Sequence, residues 1–293
     1  TYGYAYQMDA TRYAPFLRSI AESRGVERRE GIVVDVNRHP QSGDIVGVRL
    51  DGHDAASNGD FFIDCSGFKG LLIEESLSAG YEDWRRWLPC DSAVAAPSVS
   101  TSAQQPYTVA TAHKAGWRWQ IPLQHRDGNG LVNCSEYLAE TEARAMLEDA
   151  VDSEFIAAPR LLRFMTGMRR KQWHHNCVAI GLAGGFLEPL ESTSIYLIQA
   201  AIEQFIARFP LSGDYAAERD DYNRHMTREF ERVRDFLVLH YHATKRDDSA
   251  FWRHMRSLEI PDSLAEHIEL FRETGQFNDY QQGLFLTPSW LAV

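Results

Sequence analysis

Two short segments of this 293-residue chain hold residue types at spacings that suit chemistry. The first is Gly116-Trp117-Arg118-Trp119-Gln120-Ile121-Pro122, with two tryptophans at i and i+2. On a strand that spacing sends both side chains to one face. The pair then makes either a flat, rigid, water-excluding wall or two core tryptophans of a sheet, since aromatics favour both strands and cores. The second runs Gly181-Leu182-Ala183-Gly184-Gly185-Phe186-Leu187-Glu188-Pro189-Leu190-Glu191-Ser192-Thr193-Ser194. A glycine-rich turn between a strand and a helix lets backbone approach a planar ligand closely. The free N–H groups of a helix starting at Thr193 and Ser194 offer an anion a seat. An ordinary Ser-Thr-Ser helix cap explains the same residues, and spacing alone leaves the two readings level.

The elements that must position these segments are legible in outline. Tyr13, Phe16, Leu17 and Ile20 recur at helical spacing between a capping Asp9 and Gly25, which predicts a short amphipathic helix. The β-branched runs 31–36 and 45–50 flank the turn residues 40–44 and read as a hairpin. A third run, 61–65, meets Ser66-Gly67, so helix, strands and a small-residue turn follow in α/β order. Residues 106–137, punctuated by Gly128-Asn129-Gly130, read as antiparallel strands, and 140–150 as a helix. Val178-Ala179-Ile180 is a buried strand leading into the Gly181 turn. From Thr193 onward Ile195, Ile198, Ile202, Phe205, Ile206 and Phe209 fall on one helical face, and residues 214–274 read as mostly helical.

Bulk properties narrow the partners. Hydrophobic residues make up 44% and charged residues 24%, ordinary for a soluble globular protein. A net charge of −11, with basic residues interspersed among acids, argues against a nucleic-acid surface and for a small-molecule partner. Cys65, Cys90, Cys134 and Cys177 are widely spaced, so no zinc site or disulfide framework is predicted. No long apolar run and no signal-peptide order occur, and a soluble, cytoplasmic protein is expected. His174-His175 and His240-Tyr241-His242 lack an accompanying carboxylate or Cys cluster, so no metal is expected. Residues 245–253 read as a solvated charged turn before a helix.

Trp117-x-Trp119-x-Ile121-Pro122 resembles the W-x-W-x-I-P signature of flavin-dependent halogenases, and Glu188-Pro189-Leu190-Glu191-Ser192-Thr193 is similar to the tryptophan halogenase branch. Phe62-Ile63-Asp64-Cys65-Ser66-Gly67-Phe68 adds to the likeness, which spans nearly the whole chain. The resemblance implies an α/β, glutathione-reductase-type FAD-binding fold, with an antiparallel sheet insert and a mostly helical C-terminal region. It places a flavin-binding and halogenase core in 1–210 and the helical region in 211–293. The implied reaction is halogenation of an electron-rich aromatic, tryptophan or another indole, through a flavin hydroperoxide and hypohalous acid. Reduced FAD comes from a partner flavin reductase and the halide is chloride or bromide; a homodimer is left open as the assembly.

Residue roles follow from the same resemblance. Glu191 orients the halogenating species or takes up the ring proton, work that suits a carboxylate beside a cationic intermediate. Ser192 links that carboxylate to the flavin side, and backbone N–H groups of Thr193 and Ser194 hold halide. Many relatives have Gly where Ser194 stands, so unusual φ,ψ is harder here. Gly181, Ala183, Gly184, Gly185 and Phe186 belong to the flavin-contacting turn, and Leu182 stands where related monooxygenases carry Asp. Trp117 and Trp119 keep organic substrate from the flavin, while Ile121 and Pro122 pin their strand.

Complete family members also carry a G-x-G-x-x-G turn and a catalytic lysine upstream, and substrate-binding residues downstream. No such glycine pattern occurs here, and neither Lys69 nor Lys114 has the lysine's sequence context. With an opening Thr1-Tyr2-Gly3-Tyr4 and an apolar end at 288–293, a fragment inactive by itself is expected. Two rival readings are a flavin-dependent aromatic monooxygenase and a non-catalytic remnant of a flavin fold.

Overall fold

Asp9 starts the first helix, α1 (Ala10–Ser23), by accepting the Thr11 N–H at 2.9 Å, and Gly25 at φ +91° lets the chain turn away from its end. The structure is a computed structural model that describes residues 6–53, 55–100, 105–211, 213–277 and 282–293; the opening Thr1-Tyr2-Gly3-Tyr4 lies outside them. The apolar spacing did predict the helix, but Tyr13, Phe16 and Leu17 on its stripe are exposed rather than packed.

Strands β1 (Val33–Arg38) and β2 (Ile45–Leu50) form the expected antiparallel hairpin, and β3 (Ser57–Asn58) adds to β2. Strand β4 (Phe62–Asp64) leads through a π-helical turn, Leu71–Ser76, to β5 (Tyr81–Asp83). The turn is held from the strand's last residue. Buried Asp64 accepts the Ser66 N–H on Oδ1 and the N–H groups of Leu72 and Ile73 on Oδ2, all at 2.8 Å. Asp64→Ala would strand these donors, so a loss of about 3 kcal/mol or more is expected. An unchanged urea midpoint would contradict that anchoring role.

A five-stranded antiparallel sheet carries the tryptophan segment, in the order β10 (Arg160–Arg163), β6 (Ser92–Ser98), β9 (Asp127–Asn133), β8 (Gly116–Pro122), β7 (Val109–His113). Gly128-Asn129-Gly130 lies inside β9 rather than at a turn. The reversals fall at 114–115 and 123–126, because Gly130 serves packing: a Cβ there would sit 1.9 Å from the Trp119 ring. Helix α2 (Glu140–Asp149) packs beside this sheet.

Two three-stranded sheets complete the strands. β11 (Gly167–Arg169) lies between β5 and β14 (Gly185–Phe186), while β13 (Cys177–Ala179) lies between β12 (Trp173–His174) and β4. β13 and β4 run parallel, so the chain leaving each strand enters a turn at the same edge. Those turns are the Asp64 and Gly181 segments.

Helices α3 (Ser194–Ala207), α4 (Ala216–Ala243), α5 (Ala250–Ser257) and α6 (Asp262–Thr274) follow, as spacing and composition predicted, and α7 (Thr287–Ala292) lies beyond the stretch they covered. The isoleucine stripe of α3 is not its packed face. Leu197, Ala200, Ala201 and Phe205 are buried, whereas Ile195, Ile202, Ile206 and Phe209 are exposed. Apolar residues cover most of the helix, broken by Gln199, Glu203 and Gln204, and the face with two alanines admits α4 closely. α4 itself runs through the main core, burying Tyr222, Met226, Phe230, Leu237 and Tyr241. Among the described residues no helix is long and apolar enough to cross a membrane.

Candidate functional site

The glycine-rich segment is built around backbone that side chains would obstruct. Gly181 takes φ +71° at the start of a 3-10 turn, Gly181–Ala183. Gly185 takes φ +155°, and a Cβ there would meet Gly167 O at 2.7 Å and Phe230 at 2.7 Å. Leu182 is exposed at the turn, beside Phe68 and half-buried Phe186, whose rings meet edge to face at 5.4 Å. The ledge is apolar and faces outward.

A second 3-10 turn, Pro189–Glu191, delivers the chain to α3. Ser192, not Ser194, takes the left-handed backbone, at φ 56° and ψ 39°. The difficulty expected at Ser194 therefore does not arise, since it is already the first residue of α3. Nor does the Ser-Thr-Ser run cap the helix with a side chain. The first bond of α3 goes from Leu197 N–H to Thr193 O at 3.0 Å, so the N–H groups before it lie outside the helical ladder. Thr193 is fully buried, and its Oγ1 has no hydrogen-bond partner.

Two carboxylates flank the 3-10 turn, and both meet α4. Glu191 is exposed, with Oε1 3.0 Å from His240 Nε2, while His240 Nδ1 lies 2.9 Å from Phe236 O. Both ring nitrogens thus face oxygen acceptors. Glu188 is fully buried. Its Oε2 accepts Tyr241 Oη–H at 2.5 Å and Trp117 Nε1–H at 3.1 Å, while Oε1 has no partner. Burial pushes the Glu188 carboxyl up from 4.5 to about 7, against the hydrogen bonds from Tyr241 and Trp117 that pull it down. The stability this group contributes is then full below about pH 4.5 and lost as pH rises through about 7.

Trp117 and Trp119 share one side of β8, with ring centroids 5.9 Å apart and planes inclined by 52°. They form a tilted pair, not the flat wall the spacing suggested. Trp117 belongs to the core, whereas Trp119 is half-buried over Gly130. Half-buried Ile121 and Pro122 end the strand, with Pro122 opposite Asp127. Gly130→Ala should displace the Trp119 ring and cost about 1–3 kcal/mol. A small shift in Tm with unchanged Trp fluorescence would show that the contact tolerates a methyl.

Sequence reasoning left Glu188 without a role and weighed the His240-Tyr241-His242 run only as a metal site. The structure sends its first two members to different carboxylates. His175 instead meets Asp44 Oδ1 at 3.1 Å, and among the described residues no cluster of three metal-ligating side chains occurs. A signal was present in the adjacency of His and Tyr on a helix facing two acids three residues apart. The open grooves of about 750 and 590 Å³ lie among other residues, Arg86, Trp87 and Arg234 in one and Phe271, Phe277 and Trp290 in the other, so volume alone does not locate the site.

Known proteins resemble this chain over most of its length. The family model described as tryptophan halogenase matches residues 1–293. The 7-chloro-L-tryptophan 6-halogenase KtzR of Kutzneria sp. (strain 744) is 39% identical over 290 residues, covering 96% of this chain and 56% of that protein. The structure of Xcc4156, a flavin-dependent halogenase from Xanthomonas campestris, superposes with a TM-score of 0.94 at 46% identity, covering 97% of this chain and 57% of that one. That of BrvH, a flavin-dependent halogenase from Brevundimonas sp. BAL3, gives 0.93 at 44% identity, covering 97% and 58%. The α/β architecture is therefore that of flavin-dependent halogenase structures, and the chain spans little more than half the length of these relatives. On its sequence signatures and on these matches, the chain belongs to the tryptophan halogenase family.

Proposed function

We propose that this chain carries the Glu191–Ser192 side of a flavin-dependent halogenation centre acting on an electron-rich aromatic, tryptophan or another indole. The observation that carries the reading is the junction at 189–194. An exposed carboxylate, a left-handed serine and a buried, unpartnered threonine hydroxyl converge there on the open N-terminus of α3. The reading keeps 1–210 as the flavin and halogenase core, of glutathione-reductase type, and 211–293 as the helical region.

The glycine segment fits a flavin. Gly181 at φ +71° and exposed Leu182, beside an apolar ledge ending in Phe186, offer a surface that suits a planar ring system, with Ala183, Gly184 and Gly185 packed behind it. Reduced FAD, supplied by a reductase in the cytoplasm, would be held there and would supply the electrons that reduce one oxygen atom of dioxygen to water while the other oxidises chloride or bromide to an electrophilic hypohalous acid. The protein's part is electrostatic and positional. N–H groups of Thr193 and Ser194, with Thr193 Oγ1 as a further donor, hold the halide at the positive end of the α3 dipole. Glu191 stabilises the cationic ring intermediate and takes its proton on a carboxylate oxygen, while His240 Nε2 fixes the carboxylate's direction. Trp117 and Trp119 close the side of β8 against direct passage of substrate to the flavin.

The test replaces the corresponding span of a full-length relative with residues 1–293 and supplies reduced flavin, dioxygen, halide and indole substrate. Halogenated indole that depends on added chloride or bromide is expected. Hydroxylated product formed equally without halide would overturn the reading.

A further inference from the structure

Glu188 is a buried acid with neutral company. Trp117 from β8, Tyr241 from α4 and the Cys90 and Cys134 thiols are the groups that face it. Burial pushes both thiols and the Tyr241 hydroxyl up, Cys134 to about 11, so all three stay protonated at neutral pH. Among the described residues, burial and the hydrogen bonds of Tyr241, Trp117 and Cys90, not a cation, are the largest influences on Glu188. A carboxylate placed here costs more than an amide or an apolar group of like size would.

Its placement joins three elements at one atom. Oε2 receives the indole N–H of the first signature tryptophan and the hydroxyl of Tyr241, and Tyr241 Oη also lies 3.8 Å from Cys90 Sγ. Three residues further on, across one 3-10 turn, stands Glu191, held by His240. The loop therefore meets α4 on two adjacent rungs, Glu188 with Tyr241 and Glu191 with His240.

We propose that Glu188 is a positioning residue for Glu191 and Trp117, and that gain or loss of its proton tightens or loosens the joint among β8, the 189–191 turn and α4. When ionised, the carboxylate draws the two donors on Oε2 with a full charge. When it is protonated, the cost of a buried charge is removed, but the pull on these two donors weakens and the turn carrying Glu191 is held less firmly. The effect on halogenation rests on the function proposed above, whereas the joint itself does not.

The two are separated by reading the joint in the isolated chain. The indole Nε1–H resonance of Trp117, assigned by its loss in Trp117→Phe, should shift with pH about a midpoint near 7 and stay fixed in Glu188→Gln. Tyr241→Phe, which removes one donor and keeps the carboxyl, should move the midpoint upward. A resonance that does not titrate in the unaltered chain, or that titrates equally in Glu188→Gln, overturns the proposal whatever the enzyme does. In the full-length chimera, Glu188→Gln should flatten the pH dependence of kcat near 7 and lower kcat by about tenfold to a hundredfold, with KM nearly unchanged. An unaltered pH profile there would overturn the link to Glu191 even if the resonance behaves as expected. Absence of halogenation by the unsubstituted chimera would instead count against the functional reading alone.

Discussion

Glu191→Gln in the full-length chimera should lower kcat for halogenated indole by about a hundredfold or more while flavin binding persists. Glutamine keeps the shape and can still meet His240, but it can neither accept the ring proton as a base nor offset positive charge on the ring. Because Glu191 is exposed and sits at the end of a turn, the fold should lose little, and a Tm within a few degrees of the parent separates chemistry from misfolding. His240→Gln should do less harm, since its amide N–H can replace one imidazole donor to the carboxylate. Equal turnover in Glu191→Gln and the parent would remove Glu191 from the reaction.

Gly185→Ala should produce a large loss of stability for a single added methyl, about 3 kcal/mol or more. The φ of +155° is costly for any L side chain, and the added Cβ would stand 2.7 Å from Gly167 O and 2.8 Å from Met168 Cα, both backbone. Backbone cannot swing aside as a lysine tip would, so β11 and β14 must separate. Gly213→Ala serves as control, because a Cβ there meets nothing within 4 Å, and a change within about 0.5 kcal/mol is expected. Matching urea midpoints for the two variants would show that the β11–β14 pairing yields without penalty.

Much of this architecture was legible because period and punctuation agree. The β1–β2 hairpin turns where its residues demand, the segment around Trp117 forms the expected antiparallel strands, and the Asp9 and Gly25 boundaries of α1 follow from capping chemistry. Where reading failed, a residue type served two purposes. Gly128 and Gly130 are turn residues by composition, but a ring lying over the strand, not a reversal, requires Gly130. The isoleucines of α3 are core residues by hydropathy, yet two alanines on another face allow a closer helix approach and win the packing. The unusual backbone, looked for at Ser194, falls at Ser192, where the 3-10 turn closes before α3 begins. Glu188 and Tyr241, 53 residues apart, meet only when α4 is rotated correctly about its axis. No local pattern carries that rotation, so the residue nearest the signature tryptophan went without a role.

The rotation of α4 has a practical meaning for anyone splicing these proteins. Over 28 residues the helix extends about 42 Å, and its far end is locked where Phe236 stacks on Phe285 at 3.8 Å and meets Trp290 edge-on at 5.1 Å. His240 and Tyr241 lie one turn beyond Phe236, about 100° apart around the axis, and each serves its own acid. α4 thus behaves like a key cut for two wards. One residue inserted ahead of His240 turns both teeth by about 100° and disengages them together, whereas four residues bring them nearly back into phase one turn further along. Hybrid proteins joined within this helix should therefore be matched residue for residue from Phe236 to Tyr241, and crossovers are better placed in the 244–249 connection that follows it.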